Sequence, residues 1–172
     1  MKGSSSSSAE RRPATRAEAR ALAHPLRLRI IRLCLDEALT NQELAERLGE
    51  QPATTLYHVR TLARSGFLVA EPERRGRRGA REIPYRATRK SWTLEIEPGA
   101  STHTAPVDAF RAELAEAGPG SVLESIRLGV RLGPDALERL LTELGQAAMA
   151  AHDADDAEGE PVSIYIGVHR RS

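Results

Sequence analysis

The stretch LTNQELAERLGEQPATTLYHVRTLARSGFLV, residues 39–69, decides the fold. Thr40 and Glu43 have the spacing of a capping box, in which the hydroxyl takes the N3 amide and the carboxylate reaches back to the N-cap amide. That opens a short helix, Asn41 to Leu48, with Leu44 and Leu48 inward, and Gly49 stands where a left-handed residue closes it. After the turn 49–51, Pro52 suits a first helical position, and a second helix is expected from Ala53 to about Ser65, ended by Gly66. Two helices joined by three or four residues make a helix-turn-helix candidate. On a 100° wheel Thr55, Val59 and Leu62 fall within about 60° of one another and face inward. Ala53, Thr54, Tyr57, Arg60, Thr61 and Arg64 face out. Small side chains allow close approach to a groove, while Tyr and Arg donate to base edges and phosphates.

Upstream, Thr15 and Glu18 form another capping box, opening a helix through about Ala23. Pro25 restarts the chain in a helix from Leu26 to about Leu39, whose apolar residues leave only Arg29, Arg32 and Asp36 as a polar stripe. Downstream, Phe67–Glu71 and Ile83–Thr88 read as paired strands. Between them Pro72–Arg81 is a hairpin tip with arginines at 74, 75, 77, 78 and 81 and glycines at 76 and 79. Arginine supplies 23 of the 25 basic residues of the chain, which accounts for Arg in place of Lys. It does not account for five of them clustered directly after a helix-turn-helix, where a wing meets the phosphate backbone or a minor groove.

The segment from Ala21 to Trp92 resembles the ArsR-type winged-helix transcriptional regulators. The resemblance lies in ALAHPLRLRIIRLCL, LTNQELAERLG, QPATTLYHVRTLARSGFLV and PYRAT. It implies a homodimer on a two-fold operator, with one recognition helix per half-site and half-sites about 34 Å apart. It also implies subunit contacts through the first helix and the helix Pro106 to Ala117. Metal-sensing members carry Cys in the helix matching Asn41 to Leu48, whereas this chain reads NQELAERL there. The lone Cys34 falls on an apolar face one helix earlier and reads as a core residue. His24, His58, His103, His152 and His169 form no i, i+3 or i, i+4 pair, and no metal or cofactor is expected. His58, flanking the recognition face, is expected to be structural or to contact backbone.

The net charge of +1 conceals an asymmetry. Residues 1–92 hold 19 basic and 10 acidic side chains, and residues 93–172 hold 6 and 14. A basic half joined to an acidic half suits a polyanion-binding module with a second unit attached. A single Cys excludes an internal disulfide, and with no apolar leader and no long apolar run the chain reads as cytoplasmic, with no membrane partner.

In the acidic half, Leu94 and Ile96 suggest a short strand, and residues 99–105 a linker. Pro106 to Ala117 reads as a helix with Val107, Phe110 and Leu114 inward. Ile126, Leu128, Val130 and Leu132 alternate with polar residues as a strand, as do Val162, Ile164, Ile166 and Val168. Between them a helix opens at Pro134, with Leu137, Leu140, Leu141, Leu144 and Ala148 at helical spacing. Strand, helix, strand permits a parallel pair through a right-handed crossover. The half holds no Gly-rich phosphate loop and no nucleophile with an evident His partner, so it is not expected to be an enzyme.

The expected class is α+β: a disordered tail (1–14), a winged helix-turn-helix DNA-binding domain (15–92), and a small acidic α/β domain (93–172) for dimerisation or for a small-molecule effector. The expected DNA-binding residues are Thr54, Tyr57, Arg60 and Arg64 of the recognition helix, 53–65, and Arg74, Arg75, Arg77 and Arg78 of the wing, 72–81. The expected function is sequence-specific binding of double-stranded DNA as a homodimeric repressor. The competing reading is a winged-helix module that binds an acidic protein partner.

Overall fold

A computed structural model of the chain describes residues 11–76, 79–96, 104–156 and 158–170. The chain divides into two compact units, one ending at Glu113 and one beginning at Leu114. The boundary expected after Trp92 lies inside the first.

The first unit begins with β1 (Arg12–Pro13), α1 (Arg16–Leu22) and α2 (Pro25–Asp36). Thr15 caps α1 in a complete capping box. His24 caps α2, its Nδ1 accepting from the Leu26 amide at 3.2 Å, with Pro25 in the first turn. The helix stops three residues earlier than the apolar run suggests. Leu39 and Thr40 are drawn into a two-residue strand, β2, which pairs with a later strand and leaves Glu37 extended.

Thr40 then caps α3 (Asn41–Leu48) in a second complete capping box, and Gly49 closes it at φ 65°. A Cβ in that left-handed conformation is strained, which is why glycine ends the helix there. Next comes α4 (Pro52–Arg64), with Pro52 in its first turn, stopped before Gly66 at φ 73°. The strands β3 (Leu68–Ala70) and β6 (Pro84–Ala87) pair antiparallel with Leu68 opposite Ala87 and Ala70 opposite Tyr85. With β2 on the other side of β6 they form a three-stranded sheet. The hairpin tip holds β4 (Arg74–Arg75) and β5 (Arg81–Glu82), with Arg75 opposite Arg81.

Ile30, Cys34, Leu44, Val59, Leu62 and Leu94 are fully buried, with Leu39 and Phe67 at 1%. One cluster thus joins α2, α3, α4 and the sheet. A 3-10 turn (Lys90–Thr93) leads to β7 (Leu94–Glu95), which pairs in parallel with β1. Residues 11–14, expected in a disordered tail, are therefore part of the fold. Ala14 N–H donates to Glu95 O at 2.8 Å, and Arg12 bridges Glu18 at 2.6 Å.

The last element begun in this unit is α5 (Thr104–Ala117). Its buried residues are Ala105 and Ala109, while Val107 and Phe110 are half-buried and Leu114 is exposed. The expected inward face is corrected accordingly: two alanines one turn apart permit close approach, and the larger side chains lie off that contact.

The second unit contains α6 (Pro134–Asp153), at the place expected, with no buried residue. The α/β expectation is corrected here. Among the described residues neither 126–132 nor 162–168 forms a strand. Leu128 is 78% exposed and Ile164 62%.

Candidate nucleic-acid interface

Helix α4 is held by its inner side. Thr55, Val59 and Leu62 are fully buried, as their spacing predicts, and Thr55 Oγ1 donates back to Gln51 O at 3.2 Å. His58 is also buried, against the His24 ring at 4.4 Å between centroids. Burial first, then His24 and Arg27, push its imidazole down to about 4. His58 thus lies on the inner side of α4, with its ring against His24.

The outer side of α4 presents Ala53, Thr54, Tyr57, Arg60 and Arg64, all exposed, with Tyr57 at 61%. The four recognition-helix residues expected from the sequence therefore share one open face. Thr61 differs from that expectation: it is half-buried, and its hydroxyl donates to Tyr57 O at 2.9 Å.

The far end of α4 is fixed by a residue that the sequence did not single out. Lys90 Nζ donates to Ser65 O at 2.8 Å, lies 5.3 Å from the Phe67 ring centroid and pairs with Glu18 at 2.7 Å. A cation at a helix C-terminus satisfies carbonyls that have no partner within the helix. Glu18, held between Arg12 and Lys90, titrates well below the ordinary carboxylate range, the Arg12 bond being the largest cause. No local motif marks Lys90, which is 25 residues from the carbonyl it caps.

The wing is closed by Gly76 N–H donating to Ala80 O at 2.8 Å, with Gly79 at φ 77°. Its arginines are not equivalent. Arg74 Nη2 lies 2.6 Å from both carboxylate oxygens of Glu43, in the first turn of α3. Burial raises the Glu43 carboxyl, yet the Thr40 amide and hydroxyl, with Arg74 and Arg47, together hold it below its ordinary value. Arg74 thus ties the wing to the helix-turn-helix. Arg81 lies 3.5 Å from Glu73, and Arg75 is exposed. Arg77 and Arg78 lie outside the described residues.

The described part of the first unit thus sets an exposed helix face of Tyr, Thr and Arg beside an arginine-bearing hairpin. Residues 22–70 match a family model described as a helix-turn-helix domain. The chain carries a helix-turn-helix domain. The match takes in α2, α3, α4 and β3, and bears out what residues 39–69 indicate at the sequence level. No curated protein matches the chain. Among solved structures the chain is similar to reduced HlyU from Vibrio cholerae, at 20% identity and a TM-score of 0.36, over 59% of this chain and 87% of that one.

Elsewhere, Cys34 is buried in the core of the first unit, and burial pushes its thiol up to about 12. Among the described residues no three His, Cys, Asp or Glu side chains are grouped so as to hold a metal ion. Nor is any helix of those residues long and apolar enough to cross a membrane.

Proposed function

We propose that this protein is a transcriptional regulator that binds double-stranded DNA as a homodimer and acts as a repressor, in the manner of the ArsR-type regulators its first half resembles. The observation that carries the proposal is the open face of α4, where Thr54, Tyr57, Arg60 and Arg64 stand clear of the core. That face enters the major groove, with Tyr57 and Arg60 at base edges and Arg64 at a phosphate. Arg75, Arg77 and Arg78 meet the backbone or the minor groove, and Arg74 holds the wing against Glu43. The exposed side of α5, with α1, forms subunit contacts.

Binding to an operator duplex and a random duplex across a salt series tests this. Tyr57→Ala or Arg60→Ala costs about 1–3 kcal/mol on the operator and less on random sequence. Equal losses on both duplexes would remove direct readout by these residues. Arg75→Ala weakens both duplexes alike and lowers the log–log salt slope by about 0.9 for its lost phosphate contact. Arg74→Ala lowers that slope by less, because Glu43 already neutralises its charge. Retention on polyglutamate in place of duplex DNA would favour an acidic protein partner.

A small-molecule effector has a candidate place beside α4. His24, Arg29, Glu50, Thr54, His58 and Asp108 line a groove of about 360 Å³ within the first unit. A ligand seated there touches both α4 and α5. In a thermal-shift screen, one present at 100 times its dissociation constant adds about 2.7 kcal/mol to stability.

A further inference from the structure

We propose that residues 11–14 act, through Glu18 and Lys90, as a strap that sets the angle of the recognition helix α4, and that Lys90 is a positioning residue for operator recognition. The proposal rests on the DNA-binding reading above and adds to it residues that lie outside both α4 and the wing.

Two kinds of contact hold α4. On its inner side Thr55, Val59 and Leu62 are fully buried, and apolar contact has no preferred direction. Roll and tilt are therefore left to the directed bonds at the two ends. At the start, Asn41 Nδ2 of α3 donates to Pro52 O at 3.0 Å. At the far end Lys90 Nζ donates to Ser65 O at 2.8 Å, directly after Arg64, the last residue of the helix.

Lys90 reaches that carbonyl past Gly66. A Cβ on this glycine would stand 3.3 Å from Nζ, and its φ of 73° is one that other residues rarely adopt. The ammonium has three partners: Ser65 O, Glu18 Oε1 at 2.7 Å, and the Phe67 ring.

Glu18 joins the helix end to the strap. It is 6% exposed, and a carboxylate so placed needs every bond it can accept. Arg12 takes both oxygens, at 2.6 and 2.9 Å, and the Thr15 amide and hydroxyl add bonds of 2.8 and 3.0 Å. Two cations share this one carboxylate. Either can be removed without leaving the charge unpaired, so Lys90→Met and Arg12→Gln are expected to fold.

The strap also grips the backbone that carries Lys90. β1 runs parallel to β7 with Arg12 opposite Leu94, and Arg11 Nη2 donates to Leu94 O at 2.8 Å. Leu94 is fully buried four positions after Lys90, so core and strap together fix where that lysine starts. The bonds from Arg12 through Glu18 to Lys90 are charge-assisted, short and directed. A tilt of α4 about its start would move Arg64 most, Arg60 one turn earlier by less, and Thr54 least.

The test uses full-length Lys90→Met and Arg12→Gln proteins, with circular dichroism and urea unfolding to check that each is folded. Both are titrated across a salt series with a random duplex and with an operator duplex selected from a random pool by the parent chain. Each variant is expected to lose about fivefold or more in operator affinity, the loss of one base contact, with a smaller loss on random sequence and an unchanged salt slope. A slope lowered by about 0.9 would make the residue a phosphate contact and overturn the positioning role. Double variants locate the effect. Lys90→Met combined with Arg64→Ala is expected to lose less than the two separate losses together, because a displaced Arg64 has already lost its contact. With Arg75→Ala of the wing the losses are expected to add. Additive losses with Arg64→Ala, or operator affinity unchanged in both single variants, would overturn the strap and leave the DNA-binding reading standing. A parent chain that selects no duplex removes both.

Discussion

The two units use the same kind of amphipathic sequence to different ends. Every buried apolar residue among those described lies at or before Ala109, whereas 13 of the 18 large exposed apolar residues lie at or after Leu114. In the first unit, alternation and helical periodicity find their complement within one chain: Leu62 meets a core also built by α2, α3 and the sheet. In the second, the repeating apolar positions of α6 and of 126–132 and 162–168 stay open. A pattern encodes a face to be covered, and it does not encode whose surface covers it.

The largest expected effect separates the units by concentration. Ile30→Ala removes a fully buried side chain and costs about 2–5 kcal/mol. Urea unfolding followed by the fluorescence of Trp92, the only tryptophan, reads that loss, and the difference from the parent is the same at low and high protein concentration. Leu128→Ala, 78% exposed in one copy, is instead expected to cost nothing in dilute solution and to shift the midpoint at high concentration. A cost from Leu128→Ala that ignores concentration would place its complement inside the chain and end the contrast.

Acid provides a second, smaller separation, because among the described residues the strongly shifted groups lie in the first unit. The folded imidazole of His58 titrates at about 4, against an ordinary value of 6.5. Between those values the unfolded chain binds the proton and the folded chain does not, so stability falls as pH falls from 6.5 towards 4. The loss is on the order of 2 kcal/mol after discounting for solvent screening. Glu18 acts in the same sense below its ordinary 4.5, since its folded carboxyl is held lower by Arg12 and Lys90. His58→Phe keeps a ring against His24 and is expected to flatten the upper part of the profile. A profile unchanged in that variant would assign the acid sensitivity to other groups.

What was legible in the sequence follows the same division. The two capping boxes, the closing Gly49 and Gly66, and the inward set Thr55, Val59 and Leu62 are all local, decided within one or two helical turns. The missed features in the first unit are long-range. The β1 to β7 pair joins Arg12 to Leu94, the salt bridge of Arg74 reaches Glu43 31 positions away, and Lys90 caps α4 from beyond the wing. Of the candidate site, the recognition face could be read because a helix sets its own directions. The wing could be read only as charge, because which arginine is spent on Glu43 depends on tertiary contact. In the second unit the alternation was just as visible, and the expected intrachain strand pair did not follow from it.

Helix ends supply the smallest test of the contrast. Thr40 closes α3 with a reciprocal pair of side-chain bonds, and Thr40→Ala is expected to cost about 1 kcal/mol. Helix α6 starts from Gly133, with φ −69° and ψ 166° and no side-chain cap. That backbone already has the extended conformation of an N-cap, and a Cβ added there meets nothing within 4 Å. Gly133→Ser therefore puts a hydroxyl within reach of amides that lack a partner in the first turn, a gain of a few tenths of a kcal/mol. If the second unit is held chiefly by its partner, the gain appears as increased helicity in dilute protein and shrinks at high concentration, where α6 is already ordered. An equal gain at every concentration would show that α6 is as firmly set within one chain as α3 is.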